Sequence, residues 1–181
     1  YIEHAFKVAH SVDPTAHLVM NETLGNLKGE KAKYFMRHLQ TLLDKGTPIH
    51  GVGIQGHHFN AQIDLDGLLW YGDQLNKMGL KFELTEIDFG IQALRENPDP
   101  LQSQAELYYR WVKAAANQPN CVGITWWGMT DAYAWYDYTW PFKRNKPSYP
   151  YLLDENIQPK PAYYAVRKAL SEIEPKTEKW S

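Results

Sequence analysis

Apolar residues along this chain form two kinds of run that alternate from end to end. One kind keeps helical spacing. Ile2, Ala5, Phe6 and Ala9 share a face within residues 1–10, the end of a helix that residues 11–14 break. Tyr34, Phe35, Leu39, Leu42 and Leu43 do the same within 29–45, and Gly46 stands where a helix C-terminus favours glycine. Residues 65–78 repeat the pattern and end at Gly79. A further helix is predicted over 103–117, stopped by Pro119, and Pro161 opens a last one that runs to about Ile173. The other kind of run is short and continuous, at 17–20, 49–55, 80–86 and 122–127, as in buried strands. A long aromatic loop, residues 128–158, separates the last strand from the last helix.

Four strands, each followed by a helix, predict a parallel sheet with helical crossovers. Two α/β architectures compete: a doubly wound sheet and part of a (β/α)8 barrel. Asn21, His57, Glu86 and Trp127 each fall at the C-terminal end of a strand. Polar and aromatic groups delivered by four strands to one rim are the layout of a barrel site. A doubly wound sheet would gather its site at one switch point, and no Gly-rich phosphate loop is present. A complete barrel takes about 250 residues. The expectation is therefore half a barrel, one partial domain over 1–181, with two open strand edges that call for a partner half.

Composition narrows the function. Hydrophobic residues are 44% of the 181 and charged ones 22%, as in globular proteins. No apolar run approaches the roughly 20 residues that span a bilayer. The net charge of -2 gives no basic footprint for nucleic acid. Cys121 is the single cysteine, which excludes an internal disulfide framework and a cysteine-built zinc site. The 7 Trp and 12 Tyr suit a surface that stacks on sugar rings as well as they suit a core. The chain opens at Tyr1, which suggests a processed or excised piece.

Three runs carry candidate chemistry. In LTEIDF, at 84–89, Glu86 and Asp88 are two residues apart on a strand and point to one side. A carboxylate at a barrel rim can serve as nucleophile or general base; a solvated strand end is the plainer reading. In GVGIQGHHF, at 51–59, Gln55 and His57 share a face. A histidine there can hold a catalytic carboxylate in its charged state, or can be a satisfied core residue. His58 points the other way and reads as structural. In ITWWGMTDAYAW, at 124–135, Trp127 and Trp135 can wall a sugar site, while Trp126 reads as core. His-X-His spacing is absent, so no metal site and no cofactor are expected.

These runs, in this order, resemble the C-terminal half of family 10 glycoside hydrolases, the retaining endo-β-1,4-xylanases. AFKVAHSVDPTAHLVMNE resembles the family's helix and fifth strand. GVGIQGHH is similar to its sixth strand, LTEIDF to the seventh, and WWGMTDAYAW to the eighth. LLDENIQPKPAYYAV resembles the closing segment almost letter for letter. The resemblance implies strands 5 to 8 of the barrel. It implies that Glu86 is the nucleophile, that His57 hydrogen-bonds it and that Asp88 supports His57. It implies that Gln55, Trp127 and Trp135 line the sugar cleft, and it places Asn21 at the first residue of the fifth-strand Asn-Asp motif, among the substrate-binding residues.

The acid/base Glu of that family lies at the end of the fourth strand, so it is expected on an N-terminal half, in the same or another chain. Asn21-Glu22 imitates its Asn-Glu pair, but the preceding DPTA and the offset of 64 residues from Glu22 to Glu86 match the fifth-strand site. The family's Asn-Asp-Tyr-Asn becomes Asn21, Glu22, Thr23 and Leu24, which alters the leaving-group side. Trp140, Phe142, Lys143 and Arg144 are expected to add a rim to the cleft. The implied partners are xylan or xylo-oligosaccharides, with no nucleic acid and no membrane. A non-catalytic xylan-binding half barrel and a β-glucanase specificity are the alternatives. A polymeric substrate implies secretion, with intracellular action on short oligomers as the other case.

Overall fold

The computed structural model describes residues 1–139 and 147–174, so Trp140, Phe142, Lys143 and Arg144 lie outside the described residues. Helix α1 (Ile2–Val12) leads to β1 (Val19–Glu22) and α2 (Glu30–Asp44). Strand β2 (Gly51–Ile54) and the short β3 (His57–His58) precede α3 (Leu65–Lys77). Then come β4 (Lys81–Phe89), α4 (Pro100–Ala116), β5 (Cys121–Trp126) and α5 (Pro161–Ser171). Gly46 and Gly79 close α2 and α3 with φ of +70° and +75°, a conformation that side-chain-bearing residues resist. Asp99 caps α4 by accepting from the Gln102 amide at 3.0 Å, so the helix starts before the expected Ser103.

Among the described residues these strands pair in parallel, in the order β1, β2, β4, β5. Strand β3 prolongs β2 along the same edge of β4, with His57 opposite Asp88 and His58 opposite Phe89. The second strand expected over 49–55 is β2, and pairing resumes in β3 beyond Gly56, where φ is +81°. The core lies between the sheet and its helices. Val52, Phe82, Leu84, Ile87 and Phe89 are wholly buried there, together with Leu39, Leu68, Leu75, Tyr108 and Val112. Each such side chain contributes about 1.5–3 kcal/mol relative to exposure.

The buried apolar positions of β4 slip by one residue midway. Phe82 and Leu84 keep the period of two, and so do Ile87 and Phe89, but Thr85 and Glu86 stand between the pairs. The pairing shows the same slip. From Leu84 to Ile87 is three steps, against two from Ile124 to Trp126 on β5. From Leu84 to Asp88 is four steps, against three from Ile54 to His57 on the other side. Strand β4 therefore holds one extra residue, a β-bulge. Without it, Glu86 and Asp88 would follow Phe82 and Leu84 into the helix layer. With it, they face away from the helices.

The segment after β5 forms two short 3₁₀ turns, Asp131–Tyr133 and Trp135–Asp137. A buried ion pair pins it to the start of α5. Lys160 Nζ donates to Asp131 Oδ2 and to the carbonyls of Tyr149 and Tyr151, each at 2.7 Å. Asp131 Oδ1 accepts from the Tyr151 amide at 2.8 Å. Lys160→Met leaves the Asp131 charge buried without its cation. The expected loss is about 3–5 kcal/mol, read as a lower midpoint in urea unfolding of the complete protein. A change within 0.5 kcal/mol, the range of ordinary surface substitutions, would show that the pair does not anchor the loop.

Candidate active site

The ends of β1, β3 and β4 bring Asn21, His57 and Glu86 together. The Asn21 amide donates to Glu86 Oε1 at 2.7 Å. Its carbonyl oxygen accepts from Thr85 Oγ1 at 2.8 Å. Gly53 leaves the room for this. A Cβ there would lie 2.5 Å from Asn21 Oδ1 and 2.9 Å from Thr85 Cγ2. The bulge places Thr85 and Glu86 on the same neighbour, which an unbroken strand could not do.

The second oxygen of Glu86, Oε2, lies 3.1 Å from His57 Nε2, and His57 Nδ1 lies 2.9 Å from Asp88 Oδ2. Trp135 Nε1 donates to that same Asp88 oxygen at 2.8 Å, and the Tyr136 hydroxyl donates to Oδ1. Asp88 is wholly buried and Glu86 nearly so. An acceptor-only carboxylate requires the proton on His57 Nδ1. Burial alone would lower the His57 pKa, but Asp88 and then Glu86 outweigh it, and the net shift is upward. The ring is thus disposed to carry a second proton on Nε2 and donate it to Glu86. Glu86 then receives one donor on each oxygen.

Aromatic rings surround this imidazole. Trp135 lies 5.2 Å from it between centroids, Trp127 stands edge-on at 6.0 Å, and Phe59 stacks at 5.9 Å. Trp127 remains 51% exposed and offers an indole to solvent. The two tryptophans expected at one rim therefore meet there. Gln55 departs from Glu86: its side chain accepts from Thr23 Oγ1, and only its backbone carbonyl takes the Glu86 amide, at 2.8 Å. Asn21 and Trp135, expected to face substrate, both engage the buried carboxylates. A cavity of roughly 610 Å³ opens beside His57, bounded by Thr23, Leu24, Asn26, Phe59 and Asn60 among others.

His58 faces the core, as its place in the strand implies. It stacks on Phe89 at 4.2 Å, and burial pushes its pKa down to about 4, so it stays neutral. Glu22 follows Asn21 on the opposite face of β1 and pairs with Lys31 at 3.0 Å. Phe59 and Tyr136 escaped sequence reading. Both are neighbours of predicted residues, and only the path of the β5 to α5 segment brings Tyr136 to Asp88.

A buffered carboxylate at the C-terminal rim of parallel strands, with indoles beside it, is the layout of a glycoside-hydrolase barrel. The sequence pattern described as Glycosyl hydrolase family 10 matches residues 1–169. The Beta-1,4-xylanase of Dictyoglomus thermophilum is 37% identical over 178 aligned residues, covering 92% of this chain and 49% of that protein. Native xylanase 10B from Thermotoga maritima superposes with a TM-score of 0.87 at 30% identity, covering 95% of this chain and 52% of that one. Xylanase 10B from Thermotoga petrophila RKU-1, solved in complex with xylobiose, gives 0.85 at 29%, covering 95% and 51%. The chain belongs to glycosyl hydrolase family 10, and its sheet is the C-terminal half of a (β/α)8 barrel. It spans about half the length of these relatives.

The His57 contacts make a prediction of sign. Its pKa in the folded protein is raised, so the stability it lends is complete below the unfolded value near 6.5 and fades as pH climbs through the folded value. Imidazole NMR titration of the complete protein should find His57 above 6.5. Asp88→Asn should bring it down, because the carboxylate beside Nδ1 is what raises it. A His57 that titrates below 6.5 in the unsubstituted protein would contradict this charge arrangement.

Proposed function

We propose that this chain supplies the nucleophile side of a retaining endo-1,4-β-xylanase. The observation that carries the reading is Glu86, held by Asn21 on one oxygen and by His57 on the other, with Asp88 behind His57. Retaining hydrolysis runs as a double displacement between two carboxyl groups about 5–5.5 Å apart. Glu86 attacks the anomeric carbon while the second carboxyl group protonates the departing glycosidic oxygen. A glycosyl ester forms on Glu86. Water, deprotonated by the second group, then attacks the same carbon and returns Glu86 as a carboxylate. The donors from Asn21 and His57 hold the two oxygens of Glu86 in place before attack and stabilise the carboxylate that departs afterwards.

The second carboxyl group belongs, on this reading, to an N-terminal half barrel that pairs with the open edges of β1 and β5. Glu22 does not serve, because it faces α2 and Lys31. Trp127, Trp135 and Gln55 border the sugar-binding cleft, with xylan or xylo-oligosaccharides as substrate. The xylobiose held by the Thermotoga petrophila relative supports that class. Residues 1–181 form one partial domain on this reading, and a polymeric substrate favours secretion over action inside the cell on short oligomers.

Glu86→Ala in the complete barrel should lower xylan cleavage at least about a thousandfold with binding of xylo-oligosaccharides retained. Reducing-sugar release and calorimetry measure the two. Near-normal turnover in the variant would remove Glu86 from the chemistry. Binding without any product from the unsubstituted protein would make it a carbohydrate-binding half barrel. Faster cleavage of carboxymethyl cellulose than of xylan would move the specificity to β-glucans.

A further inference from the structure

Asp88 has two oxygens, and the contact with His57 uses one of them. The other accepts from Tyr136, whose side chain is 1% exposed and lies between Trp135, at 4.7 Å, and Phe59, at 5.1 Å. Three phenols surround this carboxylate. Tyr108 of α4 gives its hydrogen to the Pro150 carbonyl at 2.6 Å. Tyr151 packs under Gly128 and feels the Asp88 charge. Tyr136 is the one that donates to Asp88. Burial and then Asp88 push its pKa far up, so it stays protonated and acts only as donor toward the carboxylate.

We propose that Tyr136 is a positioning residue for the Glu86 nucleophile: its hydroxyl holds Asp88 turned toward His57 and draws off part of the charge that His57 would otherwise receive. The proposal rests on the reading of Glu86 as nucleophile. The chain of contact runs from Tyr136 to Asp88, from Asp88 to His57 and from His57 to Glu86. The charged and titratable groups along it are Glu86 and Asp88 on β4, Tyr108 on α4, Tyr151 before α5, and the neutral His58 beside His57. A donor on Oδ1 spreads the negative charge of Asp88. Without it the charge gathers on Oδ2, and His57 binds its proton more tightly.

Tyr136→Phe keeps the buried ring and removes only the hydroxyl. In the complete protein, the His57 NMR titration should move up by about one pH unit. The rate constant kcat should fall about tenfold while KM changes little, because the contact acts on the nucleophile and not on the sugar. Tyr151→Phe, which removes a phenol that does not donate to Asp88, should leave the titration in place. A fluorinated tyrosine at position 136, a stronger donor in an intact fold, should move it down, which keeps the test open if the phenylalanine variant folds poorly. An unmoved His57 titration in the folded variants would overturn the proposal and leave Tyr136 as packing. Should the unsubstituted protein cleave no xylan, the enzymatic reading fails by itself, and the His57 titration still decides whether Tyr136 tunes Asp88.

Discussion

One imidazole between two buried carboxylates is the contact on which the site depends. Glu86 and Asp88 project from one strand to one side, and two such anions side by side repel in a low-dielectric setting. His57 resolves the conflict by facing both, at 3.1 Å and 2.9 Å. Its protonated form leaves one net negative charge across the three groups. That charge is shared out further by Asn21 on Glu86 and by Trp135 and Tyr136 on Asp88. The wholly buried Asp88 thus accepts three hydrogen bonds, as a buried anion requires.

The bulge in β4 is what allows one strand to build both core and site. Before it, Phe82 and Leu84 fill the helix layer while Thr85 faces the other way. After it, Ile87 and Phe89 continue the core, and Glu86 and Asp88 take the side that Thr85 holds. The same extra residue shows against both neighbouring strands, so it belongs to β4 itself. Gly53 on the adjacent strand completes the device by leaving space for Asn21 to lie across the sheet. Stability and chemistry are coupled here at the level of strand register.

A second coupling runs through the segment after β5. Trp135 and Tyr136 reach Asp88 only because their loop follows a fixed path, and that path is set by Lys160 and Asp131. A lysine that is 5% exposed and satisfied by three oxygens is costly to bury and rigid once paired. It ties the start of α5 to the turn that carries the two aromatic donors. Residues far from Glu86 therefore hold the geometry of the carboxylates around His57.

The sequence by itself determined the alternation of strands and helices, the strand ends that carry polar groups, and the pairing of Glu86 with Asp88 on one side. These depend on local periodicity and on the identity of a few residues, which a linear reading reports. Even the bulge left a trace, since two polar residues, Thr85 and Glu86, interrupt the apolar alternation of β4. Its direction was not legible, because an interruption does not say which neighbour the strand will slip against. Tertiary structure alone decided that Asn21 grips Glu86, that Gln55 turns to Thr23, and that Tyr136 and Trp135 converge on Asp88. It also decided that Lys160 would find Asp131. The reason is physical: spacing along a strand fixes which face a side chain takes, but its partner depends on the register between strands and on the route of a loop through space. Both are set by packing across the whole half barrel.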